Sequence, residues 1–219
     1  MKRRTLDVLF SAGGLALAGL LLVLGMVMTS NSNFAKNYVR DQLAQQHITF
    51  TAADKLSDEE KAQPCLVANA GLPLTTGKQA ECYANNYIGL HVQGIADGQT
   101  YADLGGPQTA LRAQIKTATA NNDPGVADLQ KQLDTITTER ETLFKGETLR
   151  GLLLTSYGFS VFGVKGGEVA TVAYIVAALL ALLSIAGFVH AFKTPKDKVF
   201  AAPETITTVN GKDKDLVGV

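Results

Sequence analysis

Two cysteines, three histidines and a scatter of carboxylates are the side chains in this 219-residue chain that could bind a metal or form a covalent bond. Cys65 and Cys82 could pair as a disulfide or serve as two metal ligands. The metal reading lacks partners, because His91 lies nine residues beyond Cys82 and neither C-x-x-C nor H-x-x-x-H occurs. A disulfide is therefore the expectation, and closing a loop of that length stabilises a fold by ~3 kcal/mol in the chain-entropy model. His47, His91 and His190 are far apart in sequence. A non-haem iron site of two histidines and a carboxylate is formally open to His47 and His91, but no spacing singles it out. The chain has no G-x-S-x-G, P-loop or zincin motif, so nothing points to a catalytic residue.

Two uninterrupted apolar stretches, 8–28 and 169–192, bracket the rest of the chain. Each is long enough to cross a bilayer as a helix. The first has no ionisable residue after Asp7, and the second has none before His190. A cleaved signal peptide is the rival for the first stretch, but the run is long and no A-x-A site closes it, so an uncleaved anchor is expected. Lys2, Arg3 and Arg4 precede the first span and Lys193, Lys196 and Lys198 follow the second, which predicts that both termini are cytoplasmic. Residues 29–168 would then lie outside the cell membrane with 12 basic and 15 acidic side chains, against 8 basic and 5 acidic at the two ends. Both cysteines fall in that external part, where oxidising conditions let a disulfide persist. No external basic patch or internal repeat is present, which argues against nucleic-acid binding and solenoid scaffolds.

The fold class expected is all-α: two transmembrane helices joined by a mainly helical, disulfide-tied extracytoplasmic domain. In that domain, 33–46 places Phe34, Tyr38, Val39 and Leu43 on one side of a helix that extends the first span. Ser57 and Glu60 form an S-x-x-E capping box, and Pro64 is expected to end that helix. The stretch between the cysteines reads as a surface hairpin or loop. After Cys82, the spacing of Tyr83, Tyr87, Leu90 or His91, and Ile95 predicts an amphipathic helix ended by Gly98, with His91 on or beside its apolar face. A lone histidine on such a face is more simply a packed or interface residue than a ligand. A helical hairpin follows, with one helix over 108–120 and a restart at Asp123-Pro124. Val126, Leu129, Leu133, Ile136 and Leu143 form its seam, and Glu139, Arg140 and Glu141 read as a solvated face. The segment 151–164, with Tyr157, Phe159 and Phe162, is apolar but too short to span. It is either ordered by a partner or buried on the protein's own hairpin.

Small residues line both spans at the spacing that allows close helix approach: Ser11, Gly14, Ala18 and Gly25 in the first, and Ala173, Ala177, Ala181, Ser184 and Gly187 in the second. The two spans could pack on each other or on a larger complex. Neither span carries the acidic residue or paired histidines that a proton path or haem would need. Residues 193–219 are rich in Lys, Asp, Thr and Gly and read as a flexible cytoplasmic tail.

The segments MKRRTLDVLFSAGGLALAGLLLVLG, NYVRDQLAQQHITF, CLVANAGLPLTTGKQAECYANNYIGLH and GQTYADLG resemble an actinobacterial family of two-span membrane proteins. One member of that family is a supernumerary subunit of the cytochrome bcc and aa3-type oxidase respiratory supercomplex. The resemblance runs from the N-terminus through the second span and leaves the tail uncovered. Some relatives are labelled aromatic ring-opening dioxygenases, a chemistry for which this chain offers no evident ligand set. The resemblance implies a non-catalytic accessory subunit with no cofactor of its own, haem and copper residing in its partners. Those partners would be membrane subunits of the oxidase and bcc complexes, together with lipid. The contact regions expected are the small-residue stripes, the segment 151–164 with Tyr157, Phe159 and Phe162, and the aromatic face at Tyr83, Tyr87 and His91. The reading from another class is an independent envelope protein, a sensor or transporter partner, that binds a ligand through its outer domain.

Overall fold

A computed structural model describes residues 2–195; Lys196, Lys198 and the rest of the tail lie outside the described residues. The architecture is all-helical, with an isolated antiparallel bridge from Thr49 to Pro73. Two long helices dominate, α1 (Arg3–Ala44) and α7 (Val126–Lys193). Each contains a stretch long and apolar enough to cross a membrane. Between them lie α2 (Asp58–Lys61), α3 (Pro64–Asn69), α4 (Gly77–Cys82), a π-helical turn (Tyr83–Ile88), α5 (Gly89–Gln93) and α6 (Gly105–Ala120). The described residues divide into two compact units: an apolar helix pair, 2–25 with 171–195, and a helical domain, Met26–Ala170.

Within the apolar pair, the small-residue stripes face each other. Ser11, Ala18, Ala173, Ala177 and Ser184 are buried there, and Ala181 is half-buried. A side chain on Gly14 would meet the Ser184 hydroxyl, and one on Gly187 would meet that of Ser11. The two contacts are reciprocal: each helix sets a serine into the other's glycine notch, which is the close approach that small residues permit. Gly25 lies against the Tyr174 ring. Large side chains such as Phe10, Leu20 and Leu183 point outward and are exposed.

In the helical domain the seven-residue repeat of α1 continues. Ser32, Ala35, Val39 and Leu43 are buried, and Gly163 of α7 lets the two backbones approach closely enough that a Cβ there would lie 2.9 Å from that of Ala35. Phe34 and Tyr38, expected on the same side as Val39 and Leu43, are instead exposed, because the buried seam is narrower than the apolar arc. The core gathers Val39, Leu43, Phe50, Leu66, Leu74, Ala80, Ala84, Ile88 and Leu153.

Cys65 and Cys82 form the disulfide. The stretch between them is not a surface loop. Pro64 opens α3 at its first turn rather than closing the helix before it, so Cys65 sits on a helix. Cys82 ends α4, which starts with a second capping box: Thr76 accepts from Gln79 N–H at 3.2 Å, and the Gln79 amide oxygen accepts from Thr76 N–H at 3.0 Å. Leu66 and Leu74 in this stretch are among the largest fully buried side chains. After Cys82 the helix widens into the π turn and ends at Gln93, short of the expected stop at Gly98.

Two further expectations are corrected. Segment 151–164 is no separate piece but the middle of α7, where packing of Leu153 into the core and of Gly163 on Ala35 offsets its helix-weakening glycines. Arg140 is not a solvated charge. Its guanidinium lies 4.1 Å from the centroid of the Tyr101 ring, and it donates to the Tyr101 carbonyl at 3.0 Å and to the buried Gln108 side chain at 2.6 Å. Gln108 in turn donates to Thr137 Oγ1 at 2.8 Å, so this polar network clamps α6 to α7. Arg140→Ala leaves two acceptors without their donor and is expected to cost ~1–3 kcal/mol. Limited proteolysis should then cut the 99–125 region faster than in the native protein, and an unchanged cleavage rate would remove the clamp from the account.

Candidate functional site

One run of aromatic side chains in the helical domain combines packing with titratable groups. The π turn and α5 bring Tyr83, Tyr87 and His91 into a stack along one side, with centroids 4.6 Å and 4.5 Å apart. Phe50 closes the inner end, edge-on to Tyr83 at 5.3 Å. At the outer end, His91 Nε2 is 3.6 Å from Glu60 Oε1. Glu60 is placed by its capping role: its other oxygen accepts from Ser57 N–H at 2.8 Å, and the Ser57 hydroxyl accepts from Glu60 N–H at 3.1 Å. His91 Nδ1 is 2.7 Å from the Tyr87 carbonyl, which can only accept, so Nδ1 carries the proton.

Burial pushes the Tyr83 hydroxyl from its usual 10.0 up to about 12, with the neighbouring Tyr87 and Glu60 adding to the shift. The folded state thus holds the Tyr83 proton to a higher pH than the unfolded chain does. Its contribution to stability is complete below pH 10 and is lost as pH rises towards 12. An ultraviolet titration of tyrosinate should show one hydroxyl ionising well after the exposed ones, and Tyr83→Phe should remove that late step. Titration of all tyrosines together would contradict the desolvation of Tyr83 in the stack.

The other expected contact residues do not join this stack. Tyr157 turns toward α4, where Lys78 Nζ lies 5.1 Å from its ring centroid and 3.5 Å from its hydroxyl. Glu81, 2.9 Å away, and then Tyr157 hold the Lys78 ammonium above its ordinary range. Phe159 meets Tyr38 edge-on at 5.8 Å, and Phe162 is 77% exposed. Among the described residues, no three of His, Cys, Asp and Glu gather as a metal-binding group.

No protein family, curated protein or solved structure matches this chain. What the geometry offers is therefore read from the residues alone. The stack is a rigid aromatic platform with a polar tip at His91 and Glu60, and α1 with α7 exposes a second aromatic strip: Phe34, Tyr38, Leu152, Phe159 and Phe162. Leu152, inside the expected contact segment 151–164, falls seven residues before Phe159 on the same side of α7. The pairing of Asp7 with His190 was missed in the sequence. The antiparallel register marked by Ser11 with Gly187 and Gly14 with Ser184 sets them opposite each other, with His190 Nε2 3.9 Å from Asp7 Oδ2.

Proposed function

We propose that this protein is a non-catalytic accessory subunit of the actinobacterial cytochrome bcc–aa3 respiratory supercomplex. It crosses the cell membrane twice, keeps both termini in the cytoplasm and holds the helical domain outside. The observation that carries the subunit reading is the aromatic strip on the helical domain: Phe162 is 77% exposed, Leu152 62% and Phe34 61%, all beyond the ends of the apolar spans. A contiguous apolar surface of that kind marks a protein or membrane contact, and the subunit reading assigns it to a neighbouring protein. The choice of complex rests on the resemblance of the four quoted segments to the supernumerary-subunit family. Orientation is supported by the basic flanks at Lys2, Arg3, Arg4 and Lys193 and by a disulfide in the domain assigned to the oxidising side. Redox chemistry belongs to the haem and copper of the partners, and lipid covers the outward leucines and phenylalanines of the spans.

Two measurements test this. A single cysteine introduced at exposed Leu72 of the C65A/C82A chain should react with a membrane-impermeant maleimide in intact cells, and one at Phe192 should not. On a native gel in mild detergent, the protein should migrate with the haem-staining oxidase band. Migration apart from that band would remove the proposed function, and the reverse labelling pattern would remove the orientation.

A further inference from the structure

The aromatic strip borders an open groove of about 470 Å³ between α1 and α7, and the shape and position of this groove restrict what can fill it. Val39, Leu43 and Leu153 form the floor and are buried; Tyr38, Leu152 and Phe159 form the exposed rims. No charged side chain lines it. Of its three hydroxyls, those of Thr155 and Ser156 already donate to the carbonyls of Gly151 and Leu152 in their own helix, at 2.9 and 3.1 Å, and its other polar groups are the Tyr38 hydroxyl and the side-chain amides of Gln42 and Gln46. A charged occupant would therefore meet only neutral polar groups, with no opposite charge to offset its desolvation.

Height above the apolar span argues against lipid. The floor begins at Val39, 11 residues along α1 from Met28, or ~16 Å of helix. An acyl chain rooted in the bilayer would have to leave hydrocarbon to reach it. A second copy is also a poor fit. Both copies must insert the same way, so their two-fold axis would run along the membrane normal and set one groove mouth to mouth with the other, leaving both floors uncovered. A single helix, ~10 Å across, is the convex shape that fits such a groove. Phe34 and Phe162, five residues or more before the groove floor on the membrane side, extend the strip toward the spans, so the occupant approaches from the bilayer.

We propose that this groove seats one helix of a neighbouring membrane subunit, a helix that continues out of its own span and lays an uncharged apolar stripe along Val39, Leu43 and Leu153. The proposal rests on reading the chain as part of a larger membrane complex. The test uses the full-length tagged protein in its native membranes, with a benzophenone amino acid at Leu152 or at Phe162. Both positions are expected to crosslink one partner polypeptide, at sites a whole number of helical turns apart in the segment next to one of its spans. Leu152→Glu, at an exposed position that folding tolerates, should cut partner recovery at least ~10-fold, whereas Val67→Glu, exposed on α3, should not change it. Adducts with a second copy, adducts with lipid alone, or no adduct at either position would each overturn the proposal. A helical partner from a complex without haem would leave the groove assignment standing and remove the supercomplex reading. Recovery of the respiratory complex with no adduct in the groove would do the reverse.

Discussion

Alanine in place of both Cys65 and Cys82 is expected to lower the unfolding free energy of the helical domain by ~3 kcal/mol. The bond joins residues 17 apart and closes a loop that contains α3, α4 and the buried Leu66, Leu74 and Ala80. Opening it frees the unfolded chain far more than the folded one, in which both cysteines stay fixed on packed helices. Asn86 Nδ2, now 2.8 Å from Cys65 Sγ, loses that contact as well. Guanidinium unfolding in mild detergent, followed by near-ultraviolet circular dichroism of the tyrosines, measures the change, since the chain has no tryptophan. The native protein treated with reductant should match the double variant. A loss below ~1 kcal/mol would show that the loop is held by packing alone.

Leu66→Ala is the second large effect, expected to cost ~2–5 kcal/mol. Leu66 is 1% exposed and belongs to the core cluster with Phe50, Leu74 and Ala84. Truncation removes transfer energy and leaves a cavity that short, cross-linked helices cannot collapse to fill. Its neighbour Val67 is exposed, and Val67→Ala should change stability by no more than ~0.5 kcal/mol. The contrast between adjacent residues tests whether α3 is a helix with one face in the core. A loop between the cysteines, the reading from sequence, would give two similar and small effects.

Local signals carried the expectations that match the structure. The apolar runs within α1 and α7 and the capping box at Ser57 and Glu60 depend on local residues, whereas the restart expected at Asp123-Pro124 comes at Val126, after a turn in which Gly125 N–H donates to Asp123 Oδ1 at 2.7 Å. Expectations failed where tertiary contacts decide. The Thr76–Gln79 capping box stands in the sequence as T-x-x-Q, but Gly71 and Gly77 beside it read as turns, and only burial of Ala80 and Leu74 makes α4 worth forming. The glycines of 151–164 read as breaks, yet Gly163 is a contact notch for Ala35. Arg140 has no near-sequence partner at all: Gln108 and Tyr101 lie 32 and 39 residues away. The aromatic stack was legible as a spacing of four, while its closure by Phe50 and Glu60 was not, because both arrive from other elements. The groove is a product of two helices and shows in neither alone.

The most direct test of the account is purification of the tagged protein from native membranes in mild detergent, with a reduced-minus-oxidised visible spectrum and mass spectrometry of the same sample. The account predicts haem a, b and c bands together with oxidase and bcc subunits in stoichiometric yield. A colourless protein, recovered alone or with unrelated partners, would contradict it.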